Sequence, residues 1–197
     1  MDAATTPPQA VNEPIYDYAP GTPARADLKR RVAELDAQGP IDLPSVIGGE
    51  LRMAGGDEIP VVQPHAHARV LGVTRNATES DARDAVAAAK GAAAEWRALS
   101  FDDRAAVLLK AADLLAGPWR PTLNGATMLG QSKTAYQAEI DAACELIDFW
   151  RFNVEFGRRI LAEQPVSSRG VWNRLDHRPL EGFVYAVTPF NFTAIAG

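Results

Sequence analysis

The stretch FVYAVTPFNFTAIAG, positions 183 to 197, decides the reading of this chain. Its first half, Phe183 to Val187, is a continuous apolar run of the kind buried on both faces in a parallel sheet. Thr188-Pro189 then breaks the run, and Asn191 stands between Phe190 and Phe192. In open α/β sheets ligands gather beyond the carboxyl ends of strands, so an amide placed there is a candidate hydrogen-bond donor to charge developing on a substrate oxygen. The same spacing also suits a turn asparagine that bonds its own backbone.

Working back from this turn, VWNRLDHRPL (171–180) reads as a further extended segment before the Pro179–Gly182 break. Residues 135 to 164 read as one long helix. One of its faces carries Tyr136, Ile140, Ala143, Cys144, Ile147, Trp150, Val154 and Leu161, and a second carries Glu145, Phe149, Phe152 and Phe156, so cover on two sides is expected. A cap at Ser132 or Thr134 starts it, after a shorter helical stretch around Leu123 to Leu129. Two earlier helices follow from N-cap signals at Thr78 and Ser100. The first has Ala82, Ala85, Val86, Ala89, Trp96 and Leu99 at helical spacing; the second has Phe101, Ala105, Leu108, Ala112 and Leu115, and stops at Gly117-Pro118. Short apolar runs between Gly48-Gly49, Gly55-Gly56 and Pro64 read as hairpins. Six of the fourteen prolines fall in residues 1 to 40, which reads as an arm laid on another surface, with a short helix over 24–37.

Composition narrows the function classes. Acidic residues exceed basic ones by 25 to 20, for a net charge of −5, and no basic run occurs, so neither nucleic acid nor an anionic membrane is an expected partner. No stretch approaches the roughly 18 apolar residues that span a bilayer, and the first twenty residues match neither a secretory signal nor a transit peptide. The single cysteine, Cys144, cannot form an internal disulfide and suits a reducing compartment, with the cytoplasm as the expected location.

Few residues invite chemistry. Glu145, in an aromatic stripe, is costly to bury without a cationic partner, unless it is a solvated or ion-paired acid near the start of its helix. Cys144 lies in line with Ile140 and Ile147, where a thiol is inert packing. His65 and His67 lack a third ligand at zinc spacing and read as loop residues, and His177 reads as structural. No metal site is expected. GxGxxG, GxxxxGK[ST] and GxSxG are all absent, so the residues alone name no reaction.

Two segments, MLGQSKTAYQAEIDAACELIDFWRFN (128–153) and LEGFVYAVTPFNFTAIAG (180–197), closely resemble the aldehyde dehydrogenase superfamily, and within it the 1-pyrroline-5-carboxylate (glutamate-semialdehyde) dehydrogenases. A looser match extends back to about residue 45. The resemblance implies an α/β fold, specifically the N-terminal part of an aldehyde dehydrogenase. It would comprise an arm (1–44), a hairpin and helical layer of the NAD-binding domain (45–165), an oligomerisation strand segment (166–182), and the first strand of a Rossmann-like sheet with the active-site turn (183–197).

The resemblance further implies NAD as cofactor, a small aldehyde as substrate and a homo-oligomer at full length. The reaction would be oxidation of glutamate 5-semialdehyde to glutamate in proline catabolism. By the same resemblance Asn191 is the catalytic oxyanion donor, and Thr188, Pro189 and Phe190 run beside the nicotinamide ribose. Phe192 lines the aldehyde tunnel, and Glu145 meets the substrate's α-ammonium. The family's nucleophile and water-activating glutamate match no residue present, so these 197 residues are not expected to turn over substrate by themselves. A non-catalytic binding chain, or an enzyme for another aldehyde, are the alternative expectations.

Overall fold

In a computed structural model of the chain, residues 8–195 are described. The first helix, α1 (Pro23–Ala37), begins where Thr22 caps it: the hydroxyl accepts from the Arg25 amide at 3.3 Å, and Pro23 supplies a preset φ at a position whose N–H has no helical partner. Five short strands follow: β1 (Ile41–Asp42), β2 (Ser45–Ile47), β3 (Glu50–Arg52), β4 (Glu58–Gln63) and β5 (Ala66–Arg75). β2 and β3 form one hairpin, turned at Gly48 and Gly49, both with positive φ. β4 and β5 form a second hairpin, and β1 adds in parallel on the other edge of β5. Gly72 is required in β5, because a Cβ there would lie 2.7 Å from the Ile41 carbonyl oxygen. Pro60 sits in β4, an edge strand, where its missing N–H costs no ladder bond.

The helical layer follows the capping chemistry. α2 (Glu79–Ala98) carries a complete capping box, Thr78 with Asp81, and the Gly55 amide also donates to Asp81 at 3.0 Å. These bonds, from Gly55 first and then Thr78, hold the Asp81 carboxyl at about 2. None of the apolar stripe of α2 is buried; Trp96 and Leu99 lie exposed. α3 (Phe101–Leu114) does bury Ala105 and Ala112, while Leu108 remains outside. At Gly117-Pro118 the chain kinks through a wide turn, Leu115–Trp119, and continues directly as α4 (Arg120–Gln131). Gly125 brings α4 close to α1, with Leu35 3.1 Å from where its Cβ would be.

Ser132 takes a left-handed conformation, φ 56°, which ends α4, and Thr134 with Gln137 caps the next turn. The long helix comes in three parts: α5 (Ala135–Ala138), a π-type turn over Glu139–Cys144, and α6 (Glu145–Ala162). Ala112, Leu115, Ala143, Leu146 and Ile147 form the core where α3 meets this helix, and Ala194 and Ile195 pack against it. Leu146, on neither stripe read from the sequence, is buried because the π-type turn shifts the phase of the helix.

The arm is laid along the same helix. The Ala10 amide donates to Glu155 at 2.7 Å, the Glu13 amide to Asp148 at 2.7 Å, and the Tyr16 amide to Glu139 at 2.8 Å. Glu13 in turn accepts from Arg120 and Arg151, each at 2.6 Å. The buried centre of this contact is Glu139. Its carboxylate accepts from the Tyr18 hydroxyl at 2.6 Å, from Asn124 Nδ2 at 2.8 Å and from the Arg120 guanidinium. Burial alone would raise the Glu139 carboxyl, but the bonds from Arg120, Tyr18 and the Tyr16 amide hold it below its usual range. Burial alone would lower the Arg120 guanidinium, and Glu139 then Glu13 hold it above its usual value.

One expectation is corrected. No strand forms over 166–187; the expected strand at Phe183 to Val187 is unpaired and open to solvent, with Tyr185 82% exposed. A lone apolar run leaves its backbone groups without ladder partners, and no described strand runs beside it.

Candidate functional site

Asn191 lies with Phe190 in a turn after the open segment 183–189. Downstream the chain is anchored. The Thr127 hydroxyl donates to the Leu123 carbonyl or shares its proton with the Thr193 hydroxyl 2.7 Å away, and Ala194 and Ile195 enter the core. The turn itself is held by Lys133, whose ammonium donates to the Asn191 carbonyl oxygen at 2.6 Å and lies 4.6 Å from the centre of the Phe192 ring. Lys133 is also ion-paired with Asp141. The turn is therefore tied to the π-type segment of the long helix, four residues before Glu145.

Asn191 is exposed, and among the described residues its side chain makes no hydrogen bond. Among the described residues that amide makes no bond to its own backbone, as the turn-asparagine alternative would have it. Both N–H groups remain available to an incoming oxygen. Thr188 and Pro189 are exposed, and Phe190 is 99% exposed, so all three are uncovered. Phe192, half-buried beneath the Lys133 ammonium, is the member of the group that is fixed.

Glu145 follows the solvated-acid alternative and is not a buried acid in need of a cation. It is exposed, with Phe149 and Phe156 also open beside it, and no cation of the described chain pairs with it. Exposure removes the desolvation cost that would have demanded a partner. Phe152 is the better covered member of that stripe and packs on Phe156 at 5.9 Å between ring centres.

Cys144 is buried beside Arg120 and Glu139. Burial first, and then the Glu139 charge, push its thiol up to about 12, the opposite of what a nucleophile needs. His65 is a loop residue whose ring nitrogen lies 2.7 Å from the Ser132 hydroxyl.

The polar group that sequence reasoning missed is Arg120, Asn124 and Glu139. Arg120 and Asn124 stand four residues apart on the buried face of α4, beside Thr127, and Glu139 begins the π-type turn. Which side chains meet depends on how the arm crosses α4, and no local pattern records that.

Comparison with known proteins places the whole chain in a wider set. The profile of the Aldehyde dehydrogenase family matches residues 52–196. The delta-1-pyrroline-5-carboxylate dehydrogenase of Agaricus bisporus is 47% identical over 192 residues, covering 96% of this chain and 35% of that protein. The mitochondrial delta-1-pyrroline-5-carboxylate dehydrogenase of Homo sapiens is 40% identical, covering 96% and 33%. Among solved structures, the Delta-pyrroline-5-carboxylate dehydrogenase from Mycobacterium tuberculosis bound with NAD superposes with a TM-score of 0.96 at 62% identity, over 99% of this chain and 36% of that one. The present chain thus spans about a third of the length of these relatives. With the match running through the helical layer and the Asn191 turn alike, this chain belongs to the aldehyde dehydrogenase family.

Proposed function

We propose that this chain forms the oxyanion-binding and substrate-facing part of an NAD-dependent dehydrogenase that oxidises glutamate 5-semialdehyde to glutamate, a step of proline breakdown. The observation that carries the reading is the Asn191 amide, exposed and unpartnered among the described residues, on a turn whose carbonyl is tied through Lys133 and Asp141 to the long helix that bears Glu145.

Each residue has a task in this reading. Asn191 donates to the substrate carbonyl oxygen as negative charge builds there, an interaction stronger in the transition state than in the ground state. Glu145 offers a carboxylate to the substrate's α-ammonium, and Phe192 supplies a fixed apolar wall for its methylene chain. Thr188, with an exposed side chain, and Pro189 and Phe190, with uncovered faces, fit the nicotinamide ribose of NAD. When bound, NAD accepts the hydride that leaves the aldehyde carbon. Cys144 is no part of the reaction, because its thiol stays protonated and enclosed.

The exposed apolar residues of 166–187 suit pairing with a second copy of the chain, giving a homo-oligomer. An unpaired, buried Cys144 fits a reducing compartment; we place the protein in the cytoplasm, although several relatives carry mitochondrial names. No described helix is long and apolar enough to cross a membrane.

The test of substrate identity compares glutamate semialdehyde with plain aliphatic aldehydes in the full-length enzyme, before and after Glu145→Ala. The reading predicts that NAD reduction with the semialdehyde falls selectively. An equal effect on both substrates makes Glu145 structural.

A further inference from the structure

Lys133 sits between two rigid points: the left-handed Ser132 that ends α4 and the Thr134–Gln137 capping box that starts α5. With its backbone fixed at both ends, the side chain reaches three partners at once. It pairs with Asp141, donates to the Asn191 carbonyl oxygen at 2.6 Å, and stands over the Phe192 ring at 4.6 Å. Lys133 and Asp141 are both largely covered, with 16% and 23% of their side-chain surfaces exposed, so the pair is better defined than a surface ion pair.

We propose that Lys133 is a positioning residue for the Asn191 amide, anchored by Asp141; the proposal rests on the functional reading given above. The ammonium fixes the direction of the Asn191 carbonyl, and with it the plane of the peptide from which the carboxamide projects. It also stands over the ring of Phe192, the next residue along the chain. The chain before Asn191 is open, and the next anchor is the Thr193–Thr127 contact, so among the described residues Lys133 is what ties the turn itself to the helical layer. A donor acting on a developing oxyanion must be held within a fraction of an ångström, and its supporting residues decide whether it is. The arrangement also makes the register of the long helix, which carries Glu145, and the aim of the Asn191 amide mutually dependent. Substrate recognition and charge stabilisation then share one ion pair.

The experiment is a double-mutant cycle in the full-length enzyme. Lys133→Met should lower kcat by between about 10- and 100-fold with the KM for NAD unchanged, since misplacement of a catalytic group by about 1 Å has effects of that size. Lys133→Arg, which keeps a cationic donor, should recover most of the loss. In an Asn191→Ala background Lys133→Met should add no more than about twofold, because the group it positions is gone. The same fold-loss in both backgrounds, or full kcat in Lys133→Met, overturns the proposal. If Lys133→Met does not fold, Asp141→Asn enters the same cycle with the same expectations. Unchanged turnover in Asn191→Ala alone overturns the underlying functional reading, whereas a loss there beside a normal Lys133→Met overturns only the role of Lys133.

Discussion

The Tyr18 hydroxyl donates to the Glu139 carboxylate at 2.6 Å, joining the N-terminal arm to the π-type turn of the long helix across 121 residues of sequence. Glu139 is fully enclosed, and its short hydrogen bonds come from the arm and from α4, with the Cys144 thiol at 3.6 Å. Removing one partner of such a set leaves the others buried and uncompensated. Glu139→Ala, which leaves Arg120 only Glu13 as counter-charge and empties the buried centre of the network, should destabilise the fold by about 3–5 kcal/mol, and Tyr18→Phe, which deletes one hydrogen bond to a charged group, by about 1.5–3 kcal/mol. Urea unfolding of each variant checks both the sizes and their order.

Acid should act on the same carboxylate. The folded Glu139 carboxyl lies below its unfolded value of 4.5, so its stabilisation is complete above pH 4.5 and is lost as pH falls through the folded value. Asp81, at about 2 in the fold against 3.8 unfolded, loses its contribution between those two values. Stability measured against pH should therefore fall below about pH 4.5. Asp81→Asn should flatten the part of that curve between 3.8 and about 2. A curve unchanged by the substitution would contradict the cap geometry at Thr78.

The Cys144 thiol should resist alkylation. With its pKa pushed to about 12, the thiolate fraction near pH 8 is minute, and burial adds a steric barrier. Iodoacetamide should label the folded protein far more slowly than the urea-unfolded chain. Equal rates would show that the pocket around Arg120 and Glu139 opens readily.

Local capping was legible in the sequence. Thr78, Ser100 and Thr134 each accept from the backbone amide three residues on, as the patterns around them imply. Part of the stripe was also legible, for Ala143, Cys144, Ile147 and Val154 are buried, while the π-type turn leaves Tyr136 exposed and brings Leu146 inside. The expected strand at 183–187 was not realised, because apolarity can be read locally while strand pairing needs a neighbour. Glu145 shows the same limit: its aromatic neighbours were evident, but their exposure depends on what packs against α6. The Asn191 turn was found through the resemblance of PFNF and its surroundings. Its tie to Lys133 was missed, because a lysine 58 residues away carries no local mark of such a contact.

Thr134→Ala should cost about 1 kcal/mol, the usual worth of a threonine N-cap. It should also loosen the Asn191 turn, since the cap fixes the backbone beside Lys133. Thermal melts give the first effect. Faster amide exchange at Phe192 would give the second, and unchanged exchange there would disconnect the cap from the turn.

The central claim is that the Asn191 carboxamide stabilises charge on the substrate oxygen. The most direct measurement is kcat for Asn191→Ala in the full-length enzyme with glutamate semialdehyde and NAD. Loss of one such donor predicts a fall of about 100- to 1,000-fold, equivalent to about 2.7–4 kcal/mol. A kcat within about twofold of the unsubstituted enzyme would contradict the account.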